Sequence, residues 1–592
     1  MHRADAKHRM IRRTVLTLAA LAAVPCPSAA AQAQADPAPQ RPTLVVFITV
    51  DQMRPDYFDR WAGQLTGGLA RLRRGAFHTQ AFQDHAITET APGHASTLSG
   101  RFPAHTGIVQ NLAGVQDAQA PLLDGALGDA ASPFRFRGST LIDWMRSADP
   151  RSRALSVSRK DRGAILPLGR AHQSVFWYSP SGRFTTSRYY ADTLPTWLRR
   201  VNDRGVPRSM AGRPWELLLP ASAYAEPDSV PVENGVPIVA GRHETTFPHA
   251  LSADPDSAAK YFIQMPWMDG LTLDAAWAGL RAMDLGAGPQ TDLLAISLST
   301  TDAVGHRYGP DSREMHDQIL RLDRSLGVFL DSLYSVRDSS RVVIALTADH
   351  GMSSFPAVHP GGAAAAGFHV QVEEPLARYR AALAARGVDT ARFTWNDGML
   401  MVAPGAFRAA TIQHDSAVAG FARMLRGIAG VQRVDLVRDL RARGDTADYV
   451  SRRWLHMLPP DLPAELVTTL LPGHVFGFPL WAEHGTVHDE DAHVPLVLYG
   501  AGVRPGTYRQ FVRVVDMAPT LARILGVPPT EPLDGRVLGD ASSSHPSRPV
   551  HRKDGRRGAR APRRPLLPPA PGAQPGLAHS GQVYLGGQEK CG

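Results

Sequence analysis

The feature of this sequence that most constrains its fold is an apolar, β-branched run that ends directly before an acid. Residues 43–50 (Thr-Leu-Val-Val-Phe-Ile-Thr-Val) form such a run, and Asp51 follows it. An uninterrupted apolar run of this length is typical of a strand buried on both faces of a parallel sheet. Residues 292–299 and 341–347 repeat the pattern, and an acid follows each of them.

Helical stretches such as residues 313–334 lie between these runs, and residues 494–499 are a further strand candidate. Strands that alternate with helices predict an α/β fold with a mainly parallel central sheet and helices on both faces. The carboxyl ends of such strands meet at one edge, so we expect Asp51, Asp302 and Asp349 to converge there. A single aspartate after a strand is more often a helix cap, so the prediction depends on the three occurring together.

Two stretches of this 592-residue chain fit the pattern poorly. Residues of about 175–270 and 360–480 are richer in proline and polar residues, which favours insertions that form a cap over the site. Residues 541–592 are rich in Pro, Arg, Gly and Ala without periodicity, which is typical of a disordered basic tail. The catalytic domain is therefore predicted over residues 43–540.

The N-terminus has the pattern of a secretory signal peptide, predicted over residues 1–33. Basic residues precede an apolar run over residues 15–24, and small residues follow it. The run is shorter than a membrane span, so we expect a periplasmic or secreted protein without an anchor after cleavage; an uncleaved anchor is the alternative. Cleavage would remove Cys26 and leave Cys591 without an internal disulfide partner.

The net charge of +9 is carried by the ends of the chain. Residues 541–592 contribute +7 and residues 1–35 contribute +4, which leaves −2 for residues 36–540. A near-neutral body does not indicate a nucleic-acid partner. Nucleic-acid binding by the basic tail is an alternative that its removal would test.

Several acidic and histidine side chains have the types and spacing of metal ligands. Asp302 and His306 are four residues apart, which places both on one face of a helix. Asp349 and His350 directly follow a buried strand. Mixed nitrogen and oxygen ligation without cysteine favours a catalytic zinc site over a structural one. Three carboxylates and three imidazoles make up the candidate set: Asp51, Asp302, His306, Asp349, His350 and His484.

A further motif, Thr88-Glu-Thr90-Ala-Pro-Gly-His94, makes a family resemblance specific. Together these motifs resemble the alkaline phosphatase superfamily, in the branch of threonine-nucleophile alkaline phosphatases and nucleotide pyrophosphatase/phosphodiesterases. The resemblance spans roughly residues 43–540. Its matching segments, in chain order, are 50–54, 90–94, 105–111, 302–306, 348–352, 484–485, 515–522 and 533–536.

The resemblance implies an alkaline-phosphatase-like fold with two Zn²⁺ ions per chain and a threonine nucleophile. One zinc would be held by Asp302, His306 and His484. The other would be held by the ligand set Asp51, Asp349, His350 and the Thr90 oxygen. Thr90 would attack phosphorus and form a phosphothreonine, with the two metals stabilising the attacking and leaving oxygens.

Lys160 and Arg162 indicate which phosphate ester is the substrate. They match the Lys-x-Arg pair of the threonine-nucleophile monoesterases, and Asn111 matches the amide that hydrogen-bonds a phosphoryl oxygen. A monoester dianion carries more charge than a diester, so it requires additional cations. The resemblance therefore implies an alkaline phosphatase that acts on small-molecule phosphate monoesters.

Two other functions stay open. A phosphodiesterase or nucleotide pyrophosphatase would share the metal ligands, although those relatives lack the Lys-x-Arg pair. An inactive, metal-stabilised binding protein is less compatible with an intact ligand set and with Thr90.

Overall fold

A computed structural model describes residues 41–542 of the protein, apart from 229–231, 234–235, 238–245, 355–368, 445–446 and 477–482. The predicted signal peptide lies outside the described residues. So does the predicted tail, except for its first two residues.

The strands of the described segments are β1 Leu44–Val50, β2 Ala76–Phe82, β3 Ala154–Ser158, β4 Ser174–Ser179, β5 Arg183–Thr185, β6 Pro214–Trp215, β7 Val232–Glu233, β8 Val236–Pro237, β9 His249–Ala250, β10 Asp292–Leu298, β11 Val342–Thr347, β12 His369–Val370, β13 Phe393–Asn396, β14 Met399–Val402, β15 Val431–Leu436, β16 Ala464–Leu470, β17 Val475–Phe476, β18 His493–Gly500, β19 Gly506–Tyr508 and β20 Val512–Arg513. The helices are α1 Tyr57–Arg60, α2 Gly68–Leu72, α3 Thr90–Thr97, α4 Pro103–Thr106, α5 Leu141–Ala148, α6 Asp161–Ile165, α7 Thr196–Asp203, α8 Val206–Ser209, α9 Pro255–Tyr261, α10 Trp267–Met283, α11 Thr300–Tyr308, α12 Arg313–Val336, α13 Glu373–Ala384, α14 His414–Arg426, α15 Val437–Arg443, α16 Tyr449–Met457, α17 Asp489–Ala492 and α18 Met517–Leu525.

A central sheet carries the predicted strands. Its order is β19-β2-β18-β11-β1-β10-β3-β4-β5, and β20 also pairs with β2. The five strands from β11 to β4 run parallel. Their register pairs Val50 with Leu298 and Thr49 with Thr347, so β1, β10 and β11 end at the same level.

The sheet is covered on both faces. Successive side chains of a strand point to opposite faces, so one strand contributes to two cores. Leu44, Val46 and Ile48 of β1 join a core with residues of α10 and α12. Val45 and Phe47 join a second core with residues of α3, α5 and α18. The predicted α/β fold with helices on both faces is therefore confirmed.

The candidate strand at residues 494–499 is present as β18, but it runs antiparallel to both β11 and β2. Its apolar side chains are buried like those of the parallel strands. Burial on both faces therefore produces the same sequence pattern for either strand direction, and the direction depends on the connections.

The stretch 175–270, expected as a cap insertion, begins inside the central sheet. β4 and β5 form one edge of that sheet. After them, Leu198, Trp215 and Phe262 pack into the core on the α10 and α12 face. The first part of this stretch is therefore part of the central sheet and not of a cap.

A separate small sheet lies within residues 360–480. Its order is β13-β14-β16-β15, with all neighbours antiparallel. Phe393, Leu400, Phe421 and Leu466 form its own apolar core with α14. We call residues 393–470 the cap sheet region. No helix among the described residues is long and apolar enough to cross a membrane.

Candidate metal and phosphoryl-transfer site

The ends of β1, β10 and β11 bring the three predicted aspartates together. Asp51 directly follows β1, and its amide donates to Leu298 O at 2.9 Å, which extends the pairing with β10. Asp349 follows β11 after one residue, and Asp302 lies in the first turn of α11. All three are buried, with at most 3% exposed. The shared register thus produces a concentrated negative charge at one edge of the sheet.

A first cluster of donors forms around Asp302. α11 places His306 one turn later, so its Nε2 lies 3.2 Å from Asp302 Oδ1. His484 Nε2 approaches the same oxygen from another segment, at 3.7 Å. This is the set predicted to hold one metal ion, and its three donor atoms lie within 4.8 Å of one another.

A second cluster forms around Asp51. His350 Nε2 lies 3.4 Å from Asp51 Oδ1 and 3.8 Å from Asp349 Oδ2. His94 Nε2 lies 3.3 Å from the same Asp349 oxygen. Each of these four side chains is completely buried.

The hydrogen bonds of the histidine rings orient their Nε2 atoms toward the carboxylates, as metal ligation requires. His350 Nδ1 donates to Gly351 O at 2.9 Å, and His484 Nδ1 donates to Thr88 O at 2.8 Å. Each Nε2 then faces carboxylate oxygen and can offer a lone pair to a metal ion, and His350 Nε2 has no hydrogen-bond partner among the described residues. Facing acceptors in a buried site are costly unless positive charge compensates them, and their separations suit atoms that each ligate one ion at about 2.0–2.2 Å.

The electrostatic environment acts differently on the individual proposed ligands. Burial and the Asp302 carboxylate raise the pKa of Asp51. Burial also opposes ionisation of Asp302, but the Lys160 ammonium, His306 and His484 together outweigh it, and the pKa of Asp302 lies well below its ordinary value. Burial and neighbouring His350 hold the pKa of His484 far below that of a free imidazole, which keeps it neutral for ligation.

Lys160 lies against both clusters and contacts Thr90. Thr90 is the first residue of α3 and is 1% exposed. Lys160 Nζ donates to Thr90 Oγ1 at 3.0 Å and lies 2.8 Å from both Asp51 Oδ2 and Asp302 Oδ2. A cation beside a hydroxyl at a helix N-terminus favours negative charge there. The nucleophile predicted from the sequence therefore faces positive charge from its own chain.

The structure places the other two predicted substrate residues on flanking segments. Asn111 Oδ1 accepts from Ala91 N at 2.8 Å, which ties this amide to the first turn of α3. Arg162 lies in α6, and its Nη1 is 3.6 Å from Asp161 Oδ1. Its buried Nε has no hydrogen-bond partner among the described residues.

Sequence reasoning assigned no role to several side chains that support the ligands. Gln52 donates from its backbone to Asp349 Oδ1 and from Nε2 to Asp302 Oδ1, both at 3.2 Å. A Cβ at Gly305 would lie 1.6 Å from Gln52 Oε1, so any larger residue there would displace the Gln52 amide from this position. The signal that could have revealed this pair is the Gly in Asp302-Ala-Val-Gly-His306, although contact with Gln52 is visible only in three dimensions.

Gly93 has a comparable role in the Thr90 motif. A Cβ there would lie 2.1 Å from Asp349 O, so the absence of a side chain lets α3 approach the Asp349 segment closely. Glu89, just before α3, accepts from Asn111 N at 2.6 Å. The motif therefore encodes a close backbone approach as well as the nucleophile.

An α/β sheet that brings a helix-terminal threonine and a lysine together with buried His/Asp groups able to hold metal ions fits a metal-dependent phosphoric ester hydrolase. Comparison with known proteins makes this specific. Residues 45–371 match the model of the type I phosphodiesterase / nucleotide pyrophosphatase family. The chain belongs to that family, within the alkaline phosphatase superfamily, which confirms the predicted resemblance and the predicted phosphoric ester hydrolase.

Full-length relatives carry more specific names. The chain is 29% identical over 539 residues to alkaline phosphatase PhoV of Synechococcus elongatus, covering 84% of this chain and 93% of PhoV. It is 30% identical over 547 residues to alkaline phosphatase PhoK of a Sphingomonas species, covering 84% and 91%. A crystal structure of wild-type alkaline phosphatase PafA is similar with a TM-score of 0.76 at 26% identity, covering 85% of this chain and 99% of that one.

Proposed function

We propose that the protein is an alkaline phosphatase that hydrolyses phosphate monoesters with two bound zinc ions and Thr90 as nucleophile. The observation that carries the proposal is the position of Lys160. Its ammonium lies beside Thr90 Oγ1 and between the carboxylates of both clusters. An ammonium group beside the nucleophile, in addition to the proposed zinc ions, suits a dianionic monoester better than a monoanionic diester.

The proposed ligands form two sets, one for each zinc ion. Asp302, His306 and His484 would hold one zinc. Asp51, Asp349, His350 and the Thr90 oxygen would hold the other. The first set is one buried donor group of the structure, and Asp51 belongs to two more, one with His350 and Asp302 and one with Asp349 and His94. When bound, the two ions supply positive charge that favours the threonine alkoxide and neutralises the leaving oxygen.

The chain's own groups then account for the covalent steps. Thr90 Oγ1, having lost its proton, bonds to phosphorus as the bond to the leaving alcohol oxygen breaks, and that oxygen takes up a proton. Lys160 and Arg162 bind the phosphoryl oxygens, and Asn111 donates to one of them. Water then attacks the phosphothreonine, releases phosphate and restores the hydroxyl.

The names of the full-length relatives support the monoester reading, whereas the name of the matching family model favours the second candidate, a phosphodiesterase. Steady-state kinetics of the zinc-loaded protein on an aryl phosphate monoester and its matched diester separate the two. We expect kcat/KM for the monoester to exceed that for the diester by at least about a hundredfold, from two charge-assisted contacts. A diester preference would transfer the assignment to the second candidate.

We further propose that residues 1–33 direct export to the periplasm or medium and are removed. N-terminal sequencing of protein recovered outside the cytoplasm should find a start close to residue 34. A start at residue 1 would indicate that the leader is retained.

A further inference from the structure

Asp491 is a buried acid with no part in the proposed chemistry. It lies in α17, immediately before β18, and its side chain is 0% exposed. Within the described part of the chain it forms no ion pair with Lys, Arg or His. A buried carboxylate is costly unless hydrogen bonds compensate for its lost hydration, so its partners indicate its role.

One side of Asp491 holds the segment that follows His350. Ser353 Oγ donates to Asp491 Oδ1 at 2.8 Å. Gly351 N donates to the main-chain oxygen of Asp491 at 2.6 Å. His350 itself donates from Nδ1 to Gly351 O, so the ring orientation depends on this segment.

The other carboxylate oxygen holds the segment that follows His484. Thr486 N donates to Asp491 Oδ2 at 2.9 Å, and Thr486 Oγ1 donates to the same oxygen at 2.7 Å. Thr486 lies two residues after His484.

One carboxylate therefore joins two segments that carry ligands of different metal clusters. Their histidine rings stack with centroids 3.6 Å apart and an interplanar angle of 19°. We infer that Asp491 is a positioning residue that fixes the spacing of the two proposed zinc sites, through Oδ1 to the His350 segment and Oδ2 to the His484 segment. The inference rests on the proposed two-zinc function. Groups that hold ligands in place in this way typically change metal affinity about 10–100-fold when removed.

The test measures zinc affinity directly, by competition with a chromophoric chelator, in parallel with thermal unfolding. Asp491→Ala removes the carboxylate bonds to Ser353 and Thr486 and keeps the main-chain bond from Gly351 N. It is expected to weaken the affinity for both zinc ions about 10–100-fold. Excess zinc should restore much of the lost kcat. Asp491→Asn keeps one acceptor, and the Ser353 hydroxyl can turn to accept from its amide, so an intermediate affinity is expected.

Asp516 provides a matched control. It is also 0% exposed, and it accepts from Arg513 N and Arg536 N, both at 2.9 Å, in segments that carry none of the proposed zinc ligands. Asp516→Ala is expected to lower the melting temperature and leave both zinc affinities unchanged.

Wild-type affinity for both ions in Asp491→Ala would overturn the inference. So would an equal weakening in Asp516→Ala, which would make the effect one of general destabilisation. If Asp491→Ala does not fold, Ser353→Ala is the deciding variant. It should weaken the affinity for one of the two zinc ions about tenfold or more. Unchanged affinity for both ions would contradict the inference. Failure of the wild-type protein to bind two zinc ions would instead refute the proposed function.

Discussion

The carboxyl edge of the central sheet and the cap sheet region are both built on strands, but their side chains differ in burial. β1 is buried at every position, whereas β13 and β15 are largely half-exposed or exposed. Burial on both faces locks β1, β10 and β11 in register, and the acids at their ends cannot move apart. The half-exposed strands β13 and β15 have no such constraint, so substitutions there should be tolerated better.

The two regions nevertheless meet near the site. Gln110 Nε2 donates to Asn396 O, at the end of β13, with a distance of 3.1 Å. Gln110 precedes Asn111, one of the proposed phosphoryl contacts. The comparison therefore predicts that the sheet edge determines the chemistry, while the cap sheet region acts on it only indirectly.

The largest expected effect is at the sheet edge. Thr90→Ala removes the nucleophile, so kcat/KM for an aryl monoester should fall by at least about a thousandfold. The melting temperature should change little, because only a small side chain is lost. Thr90→Ser keeps the oxygen and serves as the control, with part of the activity retained. Equal activity of Thr90→Ala and wild type would remove Thr90 from the mechanism.

The next substitution is in the cap sheet region. In contrast to Thr90→Ala, it should lower stability and leave activity nearly unchanged. Phe421 is completely buried in the cap core, so Phe421→Ala should cost about 3–5 kcal/mol of local stability. Differential hydrogen exchange would measure this loss. We expect kcat for a small aryl phosphate to stay within a few-fold at temperatures below unfolding. Val328→Ala is the control, since Val328 is 68% exposed and should change stability by less than about 0.5 kcal/mol. A hundredfold loss of kcat in folded Phe421→Ala would break the proposed separation.

A third substitution tests charge at the sheet edge. Replacing Lys160 and Arg162 together by Ala should lower monoester kcat/KM tens-fold to hundreds-fold, at about 1.4 kcal/mol per tenfold. Diester hydrolysis should fall much less, because one phosphoryl oxygen is already esterified. Bound zinc, measured by metal analysis, should not change, since neither residue is a proposed ligand. Equal losses on both substrates would mean that the pair does not recognise phosphate charge.

The smallest effect is expected at the C-terminal boundary. The sequence predicted a tail from residue 541, but Ala541 is completely buried and accepts from Arg504 N at 2.9 Å. Truncation after Ser542 should therefore leave activity and melting temperature unchanged. Truncation after Asp540 should cost about 1–2 kcal/mol, the sum of one methyl group and one hydrogen bond. A marked loss in the longer variant would show that later residues stabilise the body.

The sequence allowed the strand ends to be predicted because the physics there is local. An apolar run such as β1 predicts a buried strand, and the acid after it then lies at the sheet edge. The i, i+4 spacing of Asp302 and His306 similarly depends only on α11, which the structure contains.

Other features depended on contacts between distant segments. The direction of β18 is set by its connections, and its apolar pattern is the same for both directions. Asp491 has no local signal, because its role arises from Ser353 and Thr486, which reach it from two segments. In the cap sheet region the edge strands β13 and β15 are half-exposed and lack the continuous apolar runs that predict a strand, and the apolar run of β14 is only four residues long.

Trapping of the covalent intermediate tests the central claim most directly. The zinc-loaded enzyme is mixed with a ³²P-labelled monoester, quenched in acid within a single turnover, and mapped by peptide mass spectrometry. We predict one phosphoryl group on Thr90 and no labelling of Thr90→Ala. Phosphate on another residue, or turnover without any trapped phosphoenzyme under conditions where its hydrolysis is rate-limiting, would contradict a mechanism through phosphothreonine at Thr90.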